Sequence, residues 1–176
     1  MRSDSRRGTG MRDRARSFVE IARLRRRGLA ISWDVRLGGS TDFLSYGERC
    51  GIGRGSMVWM GPNGPLKLGD KVVLGEYSNV RASSGAITIG SRVLFAQFVS
   101  LISANHLIGD DGVPSWEHVD MARRGIEIGD DCWLGAQAVI LPGVSLGDRC
   151  IVGAGAVVTR SFPSGSRLAG VPARSI

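Results

Sequence analysis

The chain has 176 residues, enough for one domain with its own core, and its 43% hydrophobic and 22% charged content excludes a disordered class. Glycine is abundant at 26 residues without a collagen period, and aromatics are scarce at 6%, so many tight corners around an aliphatic core are expected. The net charge of +7 describes no face of the body, because residues 1–28 carry all of it: ten arginines stand there against Asp4, Asp13 and Glu20, whereas residues 29–176 hold 13 basic and 13 acidic side chains.

The N-terminus lacks an apolar run of the length a secretory leader needs, and nowhere do about 18 apolar residues follow one another as a membrane span requires. With three cysteines, the chain reads as a reduced cytoplasmic protein. Residues 1–28 form a basic tail ahead of a body at 29–176. Within the tail, Asp13–Arg27 sets Ala15, Phe18, Val19 and Ala22 on one side and arginines elsewhere, the pattern of a short amphipathic helix. It reads either as a cap on the first coil of the body or as a peripheral contact with the anionic inner face of a membrane. No motif or aromatic platform accompanies the charge, so no nucleic-acid partner is expected.

The body is periodic in steps of six. Ile31, Leu37 and Phe43 open a degenerate series, and Ile52 and Val58 fit it. Leu68, Leu74 and Val80 follow, then Ile89, Phe95 and Leu101. From Ile128 the grammar is regular, with Leu134, Ile140, Leu146, Val152 and Val158 at the first position and Cys132, Ala138, Val144, Cys150 and Ala156 at the fifth. Glycine usually holds the second position, as at Gly129, Gly135, Gly147 and Gly153. Each hexad is then a short strand plus a corner, and three hexads close a triangular coil. The first and fifth positions point inward, the fifth being small because it sits in a corner, and the second-position glycine is expected to permit the turn. Coils stack at the ordinary strand spacing of about 4.8 Å. Cys132 and Cys150 should lie one coil apart as buried, reduced fillers. From Leu101 to Ile128 is not a whole number of hexads, so about residues 103–126 should leave the coil as a long loop.

Ile128–Ala136, Ile140–Val144, Val152–Arg160 and Ala169–Arg174 resemble the C-terminal coils of hexapeptide-repeat acetyltransferases of the maltose and galactoside O-acetyltransferase group, and more closely the bacterial polysaccharide O-acetyltransferases. The resemblance covers roughly residues 50–176. It implies an all-β solenoid, a left-handed parallel β-helix, assembled as a homotrimer with sites between subunits. It implies an O-acetyltransferase that moves acetyl from acetyl-CoA to a hydroxyl of a sugar or polysaccharide precursor, without a metal. An antibiotic acetyltransferase of the same fold is the alternative. A zinc carbonic anhydrase of this fold would need three histidines, and only His106 and His118 are present.

Transfer to an alcohol needs a base, and a neutral imidazole suits that task near neutral pH. Both histidines lie in the excursion. His106 stands where the coil ends, which a rigid scaffold would hold in place, and it matches the family's general base. Asp110 or Asp111 could orient its ring, or serve only as a solvated turn. By resemblance, Asn79 contacts the acceptor, with Tyr77 at the stricter alignment, and an outward Trp133 lines a site from the neighbouring subunit. By the same resemblance, Gly135, Ala136, Gly153 and Ala154 give backbone contacts to coenzyme A, with Thr159 and Arg160 near the pantetheine and phosphates. Arg174 could reach the adenosine phosphate.

Overall fold

In the computed structural model, residues 9–176 are described, with side chains from Ser17 onward. Arg2, Arg6 and Arg7, and the side chains of Arg12, Arg14, Ala15 and Arg16, lie outside that range. The chain winds into a three-sided parallel β-helix of about six turns, with one helix, Thr9–Arg26, at its start. Face A stacks Ala30–Ile31, Gly51–Ile52, Val73–Leu74, Leu94–Phe95, Trp133–Leu134, Ile151–Val152 and Arg167–Ala169, in that order. Face B stacks Arg36–Gly39, Met57–Met60, Asn79–Ala82, Ser100–Ile102, Val139–Ile140 and Val157–Val158. Face C runs from Leu44–Tyr46 through Leu66–Leu68, Ile87–Ile89 and Ile126–Ile128 to Val144–Leu146.

The inward columns are those that the spacing sets. Ile52, Leu74, Leu134 and Val152 fill face A, Val58, Val80, Leu101, Ile140 and Val158 fill face B, and all are at most 2% exposed. The fifth positions Val72, Val93, Val99, Cys132, Ala138, Cys150 and Ala156 are equally buried. The cysteines are free, and their thiols bond to backbone carbonyls of the next coil, Cys132 Sγ to Gly147 O at 3.2 Å and Cys150 Sγ to Pro163 O at 3.3 Å. Burial pushes the Cys132 thiol up to about 11, so it is an inert filler. In the first coil Phe43 lies in a short 3-10 turn and Leu44 takes the inward slot instead.

The second-position glycines do a different job from the one expected. None of Gly129, Gly135, Gly147 or Gly153 has positive φ. The left-handed residue sits two places later, at Asp131, Gln137, Arg149 and Gly155, with φ between 58° and 68°. Glycine is needed because the next coil passes too close: a Cβ on Gly135 would lie 2.6 Å from Ala154 N and 2.9 Å from Gly153 C. The turn strain is carried by ordinary side chains, which is why sequence gives no sign of it.

The hexad frame also breaks more often than the sequence suggests. Along face A, Ile31, Ile52, Leu74 and Phe95 step by 21 or 22 residues, whereas Leu134 and Val152 step by 18. The surplus lies at the corner between faces B and C, at Gly61–Pro65 and Ser83–Ala86, where Gly61 and Gly64 bond to each other. The long excursion enters at this same corner. It is a β-hairpin and not an irregular loop: Ala104–Ile108 pairs antiparallel with Pro114–Arg124, with shifts of register on either side of the His106–Val119 pair.

A side-chain ladder ties the corner between faces C and A. Asp70 Oδ1 accepts from Glu48 N, Ser91 Oγ from Asp70 N, Asp130 Oδ1 from Ser91 N, Asp148 Oδ1 from Asp130 N, and Ser164 Oγ from Asp148 N, all at 2.8–3.1 Å. Asp148→Ala strands the Asp130 N–H and should cost about 1–2 kcal/mol of stability by urea unfolding. Asp148→Asn keeps a carbonyl oxygen and should recover most of that. Equal losses in the two variants would remove the ladder's role.

At the same corner Arg92 grips Asp131, Nη2 to Oδ2 at 2.9 Å, and Asp130 Oδ2 at 3.2 Å. The Arg92 hydrogen bond holds the Asp131 carboxyl below its usual range. A depressed carboxyl stabilises the fold above the unfolded-state value, and the contribution fades as pH falls through the folded one. Stability measured from neutral to acid pH should therefore fall faster in the native protein than in Arg92→Gln, the two curves converging at the acid end. Parallel curves would sever the link.

The N-terminal helix belongs to the fold. Ile21 and Leu24, each 1% exposed, join the core beneath the first coil. The apolar face expected from sequence is thus corrected: Phe18 and Val19 face solvent at 56% and 65% exposure. Ile21 and Leu24 lie on one stripe at helical spacing, and the coil mouth takes that stripe.

Candidate active site

His106 rises from the third residue of the hairpin's first strand, exposed, three residues past a root that is locked into the coil. At that root Gly125 N donates to Ser103 O at 2.7 Å, Ser103 N to Arg81 O at 3.1 Å, and Gly143 N to Gly125 O at 2.7 Å. Ser103 is fully buried. Gly85 completes the lock, since a Cβ there would meet Gly125 N at 2.4 Å. The chain therefore leaves the solenoid at a fixed point, and the imidazole is carried close to it.

The ring has no hydrogen-bond partner among the described residues. Asp111 spends its Oδ1 on Val113 N at 3.0 Å, closing the hairpin tip, and Asp110 lies beside it. Neither bonds to His106. His118 is bound locally, Nδ1 at 3.1 Å from Ser115 Oγ. The hairpin exposes Leu107, Ile108, Val113 and Met121, and its Trp116 is 94% exposed. At the root, on face C, a groove of about 610 Å³ is lined by Thr88, Arg124, Glu127 and Ser145. Sequence gave no sign of it, and His106 does not line it.

The other candidates fall into two groups. Asn79 lies on face B beside Ser100 and Met57, and its Oδ1 is buried without a partner. Trp133 faces outward from face A, between Leu94 and Ile151. It forms with Leu94 and Val73 an exposed apolar strip, each 41–55% exposed. At the corner between faces A and B, Tyr77 and Phe98 stack at 5.2 Å, also in solvent. Within one chain His106 and Trp133 therefore belong to different faces.

Gly135, Ala136, Gly153 and Ala154 form that same A–B corner two coils further on. Gly135 N and Gly153 N close the coil stack onto Val152 O and Leu168 O, both at 2.7 Å. The N–H groups of Ala136 and Ala154 meet no protein acceptor among the described residues. Thr159 and Arg160 follow Val157–Val158 at the opposite edge of face B, both exposed. The Arg160 guanidinium sits 4.6 Å from the Phe162 ring centre. Arg174 Nη1 donates to Ala173 O at 3.0 Å. This end of the solenoid thus offers two N–H groups without a protein acceptor among the described residues and two guanidiniums, a donor set suited to amide and phosphate oxygens.

Residues 125–160 match the family model described as hexapeptide repeat of succinyl-transferase. A Dictyostelium discoideum protein named as an acetyltransferase is 43% identical over 129 residues, 69% of this chain and 65% of its own length, so the chain spans just under two thirds of that relative. WbbJ of Escherichia coli, a protein named as a lipopolysaccharide biosynthesis O-acetyl transferase, is 30% identical over 146 residues, 76% of this chain and 70% of its own. Among solved structures, AntD, an N-acyltransferase from Bacillus cereus in complex with dTDP and 3-hydroxybutyryl-CoA, aligns with a TM-score of 0.76 over 91% of this chain and 88% of its own. At 18% identity that likeness speaks for the fold alone. With the coil pattern, the corner chemistry and the extent of the WbbJ match taken together, the chain belongs to the hexapeptide-repeat acetyltransferase family.

Proposed function

We propose that the protein transfers acetyl from acetyl-CoA to a hydroxyl of a sugar or cell-surface polysaccharide precursor, with His106 as general base. The observation that carries this reading is an exposed, unpartnered imidazole held three residues from a locked root. His106 takes the proton of the acceptor hydroxyl as oxygen attacks the thioester carbonyl, and returns it to the departing thiolate. The thioester is already activated, so transfer is direct and needs no acyl-enzyme. Ala136 N–H and Ala154 N–H are free to bind the pantetheine arm, and Arg160 and Arg174 to hold phosphate oxygens. Asn79, with its buried orphan oxygen, is suited to a donor on the acceptor.

In this reading the protein is a homotrimer. Two observations support it: the apolar strip Val73–Leu94–Trp133 is exposed, and His106 lacks an orienting group among the described residues of its own chain. A neighbouring copy would bring its Trp133 to the hairpin. An antibiotic acetyltransferase of the same fold is the alternative reading, and the acceptor decides between the two. Thiol release from acetyl-CoA, measured against a panel of sugars, glycans and antibiotic alcohols, tests the reading. Sugar-dependent release yielding an ester-linked acetyl supports it. Release with antibiotic alcohols alone transfers the protein to the second class, and release no faster than buffer hydrolysis defeats both.

A further inference from the structure

The solenoid's starting end carries an aromatic pair that the fold does not use. Phe18 of the helix and Trp33 of the first coil stack at 4.7 Å with an interplanar angle of 23°, and both are about half exposed. Val19 beside them is 65% exposed. The helix cannot turn this side inward, because Ile21 and Leu24 pin its other side into the core. Arg25 lies 4.9 Å from the Trp33 ring centre and donates to Ile31 O. Arg23 and Arg26 are exposed and form no salt bridge among the described residues.

We propose that this end docks on an anionic lipid surface, with Phe18, Val19 and Trp33 entering the headgroup boundary and Arg23 and Arg26 meeting lipid phosphates. Charge complementarity points to that occupant. Among the described side chains, Arg23, Arg25, Arg26 and Arg27 stand exposed at this end of the molecule with Glu20 as the one acidic residue of the helix segment, whereas residues 29–176 are formally neutral. Aromatic rings flanked by arginines are the pattern that lies flat in a membrane interface. Single-stranded nucleic acid would need ring faces open for base stacking, and here the two rings cover each other. The placement is independent of the chemistry at His106, which lies three coils away along the stack.

Co-flotation of the full chain with vesicles tests the proposal. Binding is expected to phosphatidylcholine vesicles containing phosphatidylglycerol and not to phosphatidylcholine alone. Arg23→Gln with Arg26→Gln should weaken partitioning about 30-fold. Phe18→Ser with Trp33→Ser should abolish flotation at physiological salt. Both double variants change exposed residues, so their circular dichroism, oligomer mass and acetyl transfer to a soluble acceptor should match the parent's. Equal binding to neutral and anionic vesicles would overturn the proposal, as would parental flotation of the Ser variant. Loss of the native oligomer in the Ser variant would show that a second copy covers the rings. Preferential capture of an oligonucleotide over anionic vesicles would show that the charge serves another polymer.

Discussion

His106→Ala is expected to lower kcat for acetyl transfer to a hydroxyl by about 10²–10⁴-fold, the usual contribution of a positioned base. The Michaelis constant for acetyl-CoA should barely move, because none of the groups suited to coenzyme A bonds to His106. Stability should also hold: the side chain is exposed and has no hydrogen-bond partner among the described residues. His118→Ala is the matched control. Its ring is tied to Ser115 in the second hairpin strand, so its removal should leave turnover near normal. Steady-state thiol release with both variants settles the assignment. A His106→Ala enzyme turning over at the parental rate would dismiss the imidazole as base. Parallel losses in the two variants would point to the hairpin's shape instead.

Gly135→Ala should be strongly damaging for so conservative a change. The added methyl would press on Ala154 N at 2.6 Å and on Val152 O at 2.9 Å, both backbone atoms of the next coil, which cannot swing aside. Overpacking of this kind costs about 1–3 kcal/mol when side chains can yield, so a loss of at least about 3 kcal/mol is expected here. Gly155→Ala is the informative comparison. Its Cβ would meet open space, and its φ of 68° costs only the left-handed penalty of about 1–2 kcal/mol. Thermal or urea unfolding should rank Gly135→Ala well below Gly155→Ala. The reverse order would restore turn geometry as the reason for second-position glycine.

The fold was legible because period-six burial is a property of each short segment: Leu134, Ile140 and Leu146 need no distant partner to declare their direction. The corners were less legible. Gly129 and Gly135 are spelled as turn glycines yet answer to the coil beneath, and the actual turn residues, Asp131, Gln137 and Arg149, look like ordinary surface positions. The ladder through Asp70, Asp130 and Asp148 was also hidden, since its rungs join residues a full coil apart. The hairpin read as a loop because its strands, Ala104–Ile108 and Pro114–Arg124, bury neither face and so lack alternation. Candidate residues could be named from the sequence, but not how the coils group them. Asn79, Trp133 and His106 fall on different faces of one chain, and that division is set by coil geometry.

A stack of coils has two raw rims, each a row of unspent peptide groups ready to recruit another strand and grow into a fibre. In this chain neither rim is left bare. At one, the helix Thr9–Arg26 plugs the mouth with Ile21 and Leu24. At the other, Arg174–Ser175 doubles back against Arg167–Ala169, so the final parallel strand meets a reversed one. Growth along the axis is thereby hindered at both rims, and the sides of the prism, where Val73, Leu94 and Trp133 are exposed, are the surfaces left for the proposed trimer.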